Sequence, residues 1–226
     1  MIDKIIWRLR QPLKRITSKK DIDFLNGGAI PPIVANNCFG GEIYKRLKQP
    51  FNTPFIGLFV YGSDFVKLVG DLENYLSFSL YFVDRSKWTD NDIDYPVGLL
   101  NDVEIHFMHY ENEAIAGEKW ERRVKRLLAY EAKEDFIIKF CDRDGGADQD
   151  FKSFHELSYE HKISFGTNNY DHKNHIKINK NDNGRVPDGV DLYRICQYYF
   201  DLYHWIKTGD VQFSLYSWTK ALLRIA

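Results

Sequence analysis

Four stretches of the chain carry side chains whose types and spacing suit chemistry. The first is Asn36-Asn37-Cys38-Phe39-Gly40-Gly41, which follows a short apolar run and precedes a helical one. A helix starting there presents unpaired N–H groups and the positive end of its dipole. Two glycines let the backbone come close to an anion. Asn36, Asn37, Gly40 and Gly41 are therefore expected to contact a small anionic ligand. Cys38 is a candidate nucleophile, because a thiol at such a turn can have a lowered pKa. The competing reading makes Cys38 a small buried hydrophobe and leaves the glycines to the turn. The run is neither a P-loop nor a dinucleotide fingerprint.

The second stretch is Asp142-Arg143-Asp144, after an apolar run ending at Cys141. Two carboxylates two residues apart at a strand end can hold a divalent cation that bridges a diphosphate. Asp142 and Asp144 are the candidate ligands of Mg2+ or Mn2+, with an acidic turn as the alternative. The third is Glu104-Ile105-His106-Phe107-Met108-His109-Tyr110. Strand alternation puts Glu104 and His106 on one face, where a carboxylate can orient an imidazole as a general base. His109 falls near the strand end, and Tyr110 beside it joins the expected ligand contacts. A sheet histidine satisfied by its neighbour is the alternative for His106. The fourth carries Trp120, Arg122, Arg123, Lys125 and Arg126 on a helix. Arg122 and Arg123 have the planar fork that suits phosphate, although such a run also serves as a solvated face.

These stretches need elements to position them. The 226 residues fit one domain, with 44% hydrophobic and 28% charged residues, an ordinary globular composition. Aromatics make up 15%, so large rings must build much of the core. No apolar run approaches the ~20 residues of a membrane span, and the N-terminus lacks the features of a secretory signal. Cys38, Cys141 and Cys196 are an odd, dispersed set, which points to the cytoplasm and away from disulfides or structural zinc. The net charge of −1 argues against a nucleic-acid partner. Residues 1–20 stand apart, with seven basic side chains against one acid, and Ile2, Ile5, Ile6, Trp7 and Leu9 among them. They predict a basic amphipathic N-terminal arm, limited at Pro12, that either rests on an anionic membrane or packs on the body.

For residues 21–226 the periodicities predict strands at Ile33–Ala35, Phe55–Tyr61, Phe78–Val83, Val97–Leu100, Val103–His109, Phe136–Cys141 and Lys162–Phe165, with another within Asn174–Ile178. Helices are predicted from Glu42 to Leu47, Phe65 to Leu76, Glu113 to Ala129, Asp150 to Leu157, Val190 to Ile206 and Val211 to Leu223. Alternating strands and helices imply one layered α/β/α domain, and the hairpin at Asn101-Asp102 implies a mixed, mostly parallel central sheet.

In this order the stretches resemble a bacterial family, domain of unknown function 1919. The resemblance rests on Asn36 to Gly41 with Tyr44, Pro54, Asp64-Phe65, Tyr95-Pro96-Val97-Gly98, Glu104 to Tyr110, Trp120 with Arg122 and Arg123, and Arg143-Asp144-Gly145. It spans roughly residues 20 to 205. The family has Trp where Phe39 stands, and residues 166–189 carry no pattern of it. The resemblance implies a role in exopolysaccharide or capsule biosynthesis, a cytosolic face of the membrane and an α/β fold, and it brings no catalytic residue with it.

Three functions fit. The first is a glycosyl or other group transferase acting on a nucleotide sugar, with His106 or His109 as base. The second is a non-catalytic binding or scaffold component of the same pathway. The third is a hydrolase or acyltransferase built on Cys38.

Overall fold

The stretch Ile137–Cys141 is apolar on both sides except for Lys139, the pattern of a strand covered on both faces, and all five residues are buried. The computed structural model describes residues 2–27 and 30–226; Met1, Gly28 and Ala29, and the side chains of Ile2, Asp3 and Ile5 in the predicted arm, lie outside it. In chain order the elements are α1 (Ile2–Phe24), β1 (Ile33–Ala35), α2 (Phe39–Leu47), α3 (Gly62–Gly70), α4 (Leu72–Ser77), β2 (Tyr81–Val83), β3 (Val97–Leu100), β4 (Val103–His106), α5 (Glu113–Leu128), β5 (Ile137–Cys141), α6 (Asp148–Glu156), β6 (Lys162–Gly166), β7 (His175–Lys177), α7 (Gly189–Ile195), α8 (Leu202–Thr208) and α9 (Leu215–Leu222).

The chain is an α/β domain with two sheets. One is parallel, in the order β1-β5-β6-β7, and the other is antiparallel, in the order β2-β3-β4. The hairpin expected at Asn101-Asp102 joins β3 to β4, with Asn101 at φ 53°. It builds its own sheet beside the parallel one. Strand alternation then divides the core. Val34, Ile138 and Phe140 face α3, α4, α6 and the antiparallel sheet, packing with Phe65, Phe151 and Phe154. Ile33, Ala35, Ile137, Cys141, Ile163 and Phe165 face α2, α7 and α8, packing with Phe39, Tyr193 and Trp205. The aromatic content goes largely into these two layers.

Several elements differ from the sequence reading. Residues Phe55–Tyr61 do not form a strand. Gly57, at φ +73°, breaks the extended run. What remains links the sheets: Phe59 exchanges two backbone hydrogen bonds of 2.9 Å with His106, and the Val60 N–H donates to the Asn36 carbonyl at 3.0 Å. The helix predicted from Phe65 to Leu76 breaks at Asp71, where the backbone leaves the helical region at φ −144°. The two long C-terminal helices become shorter ones, because Asp201 accepts from the N–H groups of Tyr203 and His204 and so starts α8 afresh. Pro12 does not end α1. The bond it removes belongs to the Arg8 carbonyl, on an exposed turn where water can serve it. α1 also runs past residue 20, the expected arm boundary, and packs against α2. No helix among the described residues is long and apolar enough to cross a membrane.

Candidate functional site

In parallel sheets ligands gather beyond the carboxyl ends of the strands. Here β1 ends at Asn36-Asn37-Cys38, and β5 ends at Asp142-Arg143-Asp144, a 3₁₀ turn. Because β1 and β5 are neighbours, the two tips meet. Between them opens a cleft of about 430 Å3, walled by Asn37, Cys38, Phe59, Met108, His109, Arg143, Asp144 and the start of α7 at Asp188 to Asp191. Gly189 permits this junction. A Cβ there would lie 2.4 Å from the Phe39 nitrogen, so α7 can reach the first turn of α2 only without a side chain.

Beneath the cleft lies a residue that the spacing arguments missed. Lys139, in the middle of β5, is fully buried. Its Nζ donates to Oδ1 of Asn37 at 2.9 Å, to Oδ1 of Asn36 at 3.2 Å and to Sγ of Cys141 at 3.0 Å, and it lies 5.5 Å from the Phe39 ring centre. Among the described residues no carboxylate lies within ion-pair distance of it. An ammonium whose hydrogen-bond partners are all neutral keeps its charge free to act through space, and the nearby Asp144 carboxyl feels it. The signal was available, since a lysine interrupts an otherwise apolar strand.

Asn36 acts as a bracket. Its Nδ2 donates to the Cys141 carbonyl at 2.9 Å, and its Oδ1 accepts from the Cys141 N–H at 3.1 Å, which extends the β1–β5 pairing by a side chain. Asn37 accepts from the Phe39 N–H at 3.3 Å and from Lys139, so both asparagines aim their oxygens at the ammonium.

The electrostatics separate the candidate groups. Burial pushes the Asp144 carboxyl up to about 6, against the pull of Lys139, Arg143, Arg185 and Asn37. Its Oδ2 is shut from solvent without a hydrogen-bond partner. Burial also raises the Cys38 thiol, and the Asp144 carboxylate pushes it further the same way. That thiol is held protonated, the opposite of an activated nucleophile.

The other expected residues fall into distinct places. His109 is exposed at the rim of the cleft. His106 shares a face with Glu104 as expected, 3.4 Å away, but is completely buried. Its ring stacks on Phe59 with centroids 4.6 Å apart, so Phe59 separates it from the cleft. Burial lowers its pKa against the pull of Glu104. Tyr110 and Arg123 form an internal strut: Arg123 Nη1 donates to the Tyr110 hydroxyl at 2.5 Å, which donates to the Ile56 carbonyl at 2.6 Å. Arg122 is exposed on α5 beside Glu118 and does not line the cleft. Gly40 and Gly41 are buried in the first turn of α2, against Ile33 and Ile56.

Asp142 and Asp144 take different environments. Asp142 Oδ2 accepts from the Thr167 N–H at 3.0 Å and Oγ1 at 3.3 Å, beyond the end of β6, and only Asp144 lines the cleft. Asp142 Oδ1 is likewise a buried oxygen without a partner. Among the described residues no group of three or more His, Cys, Asp or Glu side chains is arranged to hold a metal ion. Asp142 and Asp144 thus do not face one opening as a pair.

A second groove of about 750 Å3 adjoins the cleft and shares Arg143, Asp188 and Asp191 with it. Asn179, Lys180, Asn181, Tyr198 and Trp218 line it. Part of the stretch 166–189, which carried no recognisable pattern, thus supplies a wall of the groove.

Comparison with known proteins agrees on kinship. The family described as Domain of unknown function (DUF1919) matches residues 14–207. An "Uncharacterized protein" of Haemophilus influenzae is 38% identical over 133 residues, covering 59% of this chain and 60% of the relative. The chain thus spans about 60% of the length of that curated relative.

Proposed function

The chain belongs to the DUF1919 family, and from that premise we propose that its cleft binds the phosphate end of an activated sugar and transfers the sugar or another group from it, in exopolysaccharide or capsule biosynthesis. The observation that carries the reading is the meeting of Asp144, Arg143 and His109 around one opening above the buried Lys139. Loss of a diphosphate leaving group develops negative charge, and fixed cations in a partly dry site stabilise it. Arg143 on the wall and Lys139 behind it supply positive charge, and Arg185 also acts on Asp144. Asp144, with a carboxyl that titrates at about 6, is matched to accept a proton from an attacking hydroxyl near neutral pH. His109 at the rim is the second candidate base. The adjoining groove gives room for an acceptor, with Tyr198 and Trp218 as faces and Asn179 and Asn181 as hydrogen-bonding groups. In this reading the protein works at the cytoplasmic face of a membrane. No step is routed through a metal ion, and the raised thiol of Cys38 speaks against the hydrolase alternative.

A thermal-shift series over nucleotide sugars, with and without Mn2+, tests the reading. A ligand at 100 times its Kd stabilises by about 2.7 kcal/mol. The expected result is a shift with at least one nucleotide diphosphate sugar that Lys139→Met diminishes. A flat response across the series removes the reading. Binding without turnover would favour the non-catalytic alternative.

A further inference from the structure

Surface helices ordinarily turn their apolar stripe toward the core. α1 does the reverse. The side it packs on the body is largely polar: Thr17, Ser18 and Asp21 are buried, beside the half-buried Ile22. Thr17 Oγ1 donates to the Ile225 carbonyl at 3.1 Å, and Ser18 Oγ donates to the Arg46 carbonyl at 2.7 Å. The Asp21 carboxylate is gripped by Arg46 at 2.9 Å and by Lys220 at 2.8 Å, with all three side chains at least nine-tenths buried. The helix cannot roll its other side inward without unpairing these charges.

The outward side carries Ile6, Leu9, Leu13 and Ile16 at intervals of three and four residues, and all four are exposed. The bonds from Thr17 to Ile225 and from Lys220 to Asp21 hold α9 and the residues after it alongside, running antiparallel. Leu215 and Leu222 of α9 are also turned to solvent. Two neighbouring helices therefore both present apolar side chains outward.

Charge decides what covers this surface. Arg8, Arg15, Lys19 and Lys20 are exposed on α1, and among its described side chains Asp23 is the one exposed acid. A second copy seated here would bring like charges together. An anionic bilayer would neutralise them and accept the apolar stripe beside them. We propose that α1, with the outward side of α9, seats the protein on an anionic lipid surface. The apolar side chains dip among the acyl chains, and the flanking cations meet the headgroup phosphates. The inference does not depend on the reaction assigned to the cleft.

The test is sedimentation of the full chain with vesicles of phosphatidylglycerol and phosphatidylcholine, against vesicles of phosphatidylcholine alone, without any sugar nucleotide. Binding is expected to the first and to be weaker by about tenfold or more to the second. The double variants Leu9→Ser with Leu13→Ser, and Arg15→Glu with Lys19→Glu, should each lose about tenfold while keeping the wild-type Tm and helical content. Equal binding to both vesicles, no binding to either, or unchanged binding by both variants would overturn the proposal. So would a stable dimer in light scattering that Leu13→Glu dissociates, which would give the surface to a second copy.

Discussion

Nζ of Lys139 donates to Oδ1 of Asn37 at 2.9 Å, across 102 positions of the chain, and this bond joins the charge under the cleft to the tip of β1. Without the ammonium, each asparagine oxygen still has a backbone donor, Cys141 N–H for Asn36 and Phe39 N–H for Asn37. Lys139→Met should therefore leave no orphaned acceptor on either asparagine. Its stability is expected within about 1 kcal/mol of wild type, or higher, because an apolar chain of similar length replaces a buried cation. Anionic ligand affinity should fall by about tenfold, because the variant removes a buried positive charge that acts on the cleft through space, behind Asn37, without touching the ligand. Urea unfolding and isothermal titration separate the two effects.

Asp144 gives a pH signature of known sign. Its carboxyl is raised in the folded state from 3.8 to about 6, so the folded protein disfavours the ionised form. Below 3.8 both states hold the proton and no penalty exists. As pH rises toward 6 the unfolded chain ionises first and stability falls. The full loss is up to roughly 3 kcal/mol, reduced by water that reaches the cleft. Asp144→Asn removes it, so the variant should unfold at higher urea than wild type at pH 7 but not at pH 4, and should lose turnover. Equal stability at both pH values would contradict the burial-driven shift.

The sequence made the two strand tips legible because their polar runs interrupt apolar ones. It did not make legible which tips share an opening. His106 and His109 are three residues apart, yet one lies behind Phe59 and the other on the rim. The difference is made by Phe59, which lies in a segment read as a strand and held by pairing with β4. Arg122 and Arg123 looked equivalent on their helix, but the turn between them sends one to solvent and the other to Tyr110. Lys139 interrupts an apolar strand, but the strand pattern alone does not say that it bonds to the tip of β1, 102 positions earlier.

Asn36→Ala should destabilise by about 2–4 kcal/mol, because it removes two hydrogen bonds to the Cys141 backbone and leaves that N–H and carbonyl buried. Asn36→Asp restores an acceptor for the N–H and Lys139 but not a donor for the carbonyl, and should recover only part of the loss. Equilibrium denaturation gives both numbers.

Cys38→Ser should keep ligand binding and turnover within about threefold, because a thiol held protonated is not a nucleophile. Iodoacetamide should modify Cys38 more slowly at pH 7 than it modifies a free thiol, by mass spectrometry. Rapid alkylation together with an inactive Cys38→Ser protein would restore the thiol-dependent hydrolase.

Gly189→Ala drives a Cβ into the Phe39 nitrogen and the Cys38 backbone, neither of which is the end of a flexible chain. The α2–α7 junction must open, with an expected cost of about 1–3 kcal/mol. Ligand affinity should drop alongside, since Asp188 and Asp191 move with α7. A variant with wild-type melting temperature and binding would show that the junction yields easily.

The parallel pairing of β1 with β5 matches Ile33 to Ile137, and the whole antiparallel sheet lies between them in the chain. Such long-range closure is slow compared with local hairpin and helix formation. By residue 106 the chain carries all of β2, β3 and β4, while β1 waits for β5 and for the later residues that bring α7 against α2. Ligand competence thus waits on contacts that no local segment makes alone, and an anionic ligand of the cleft should slow unfolding more than it speeds refolding.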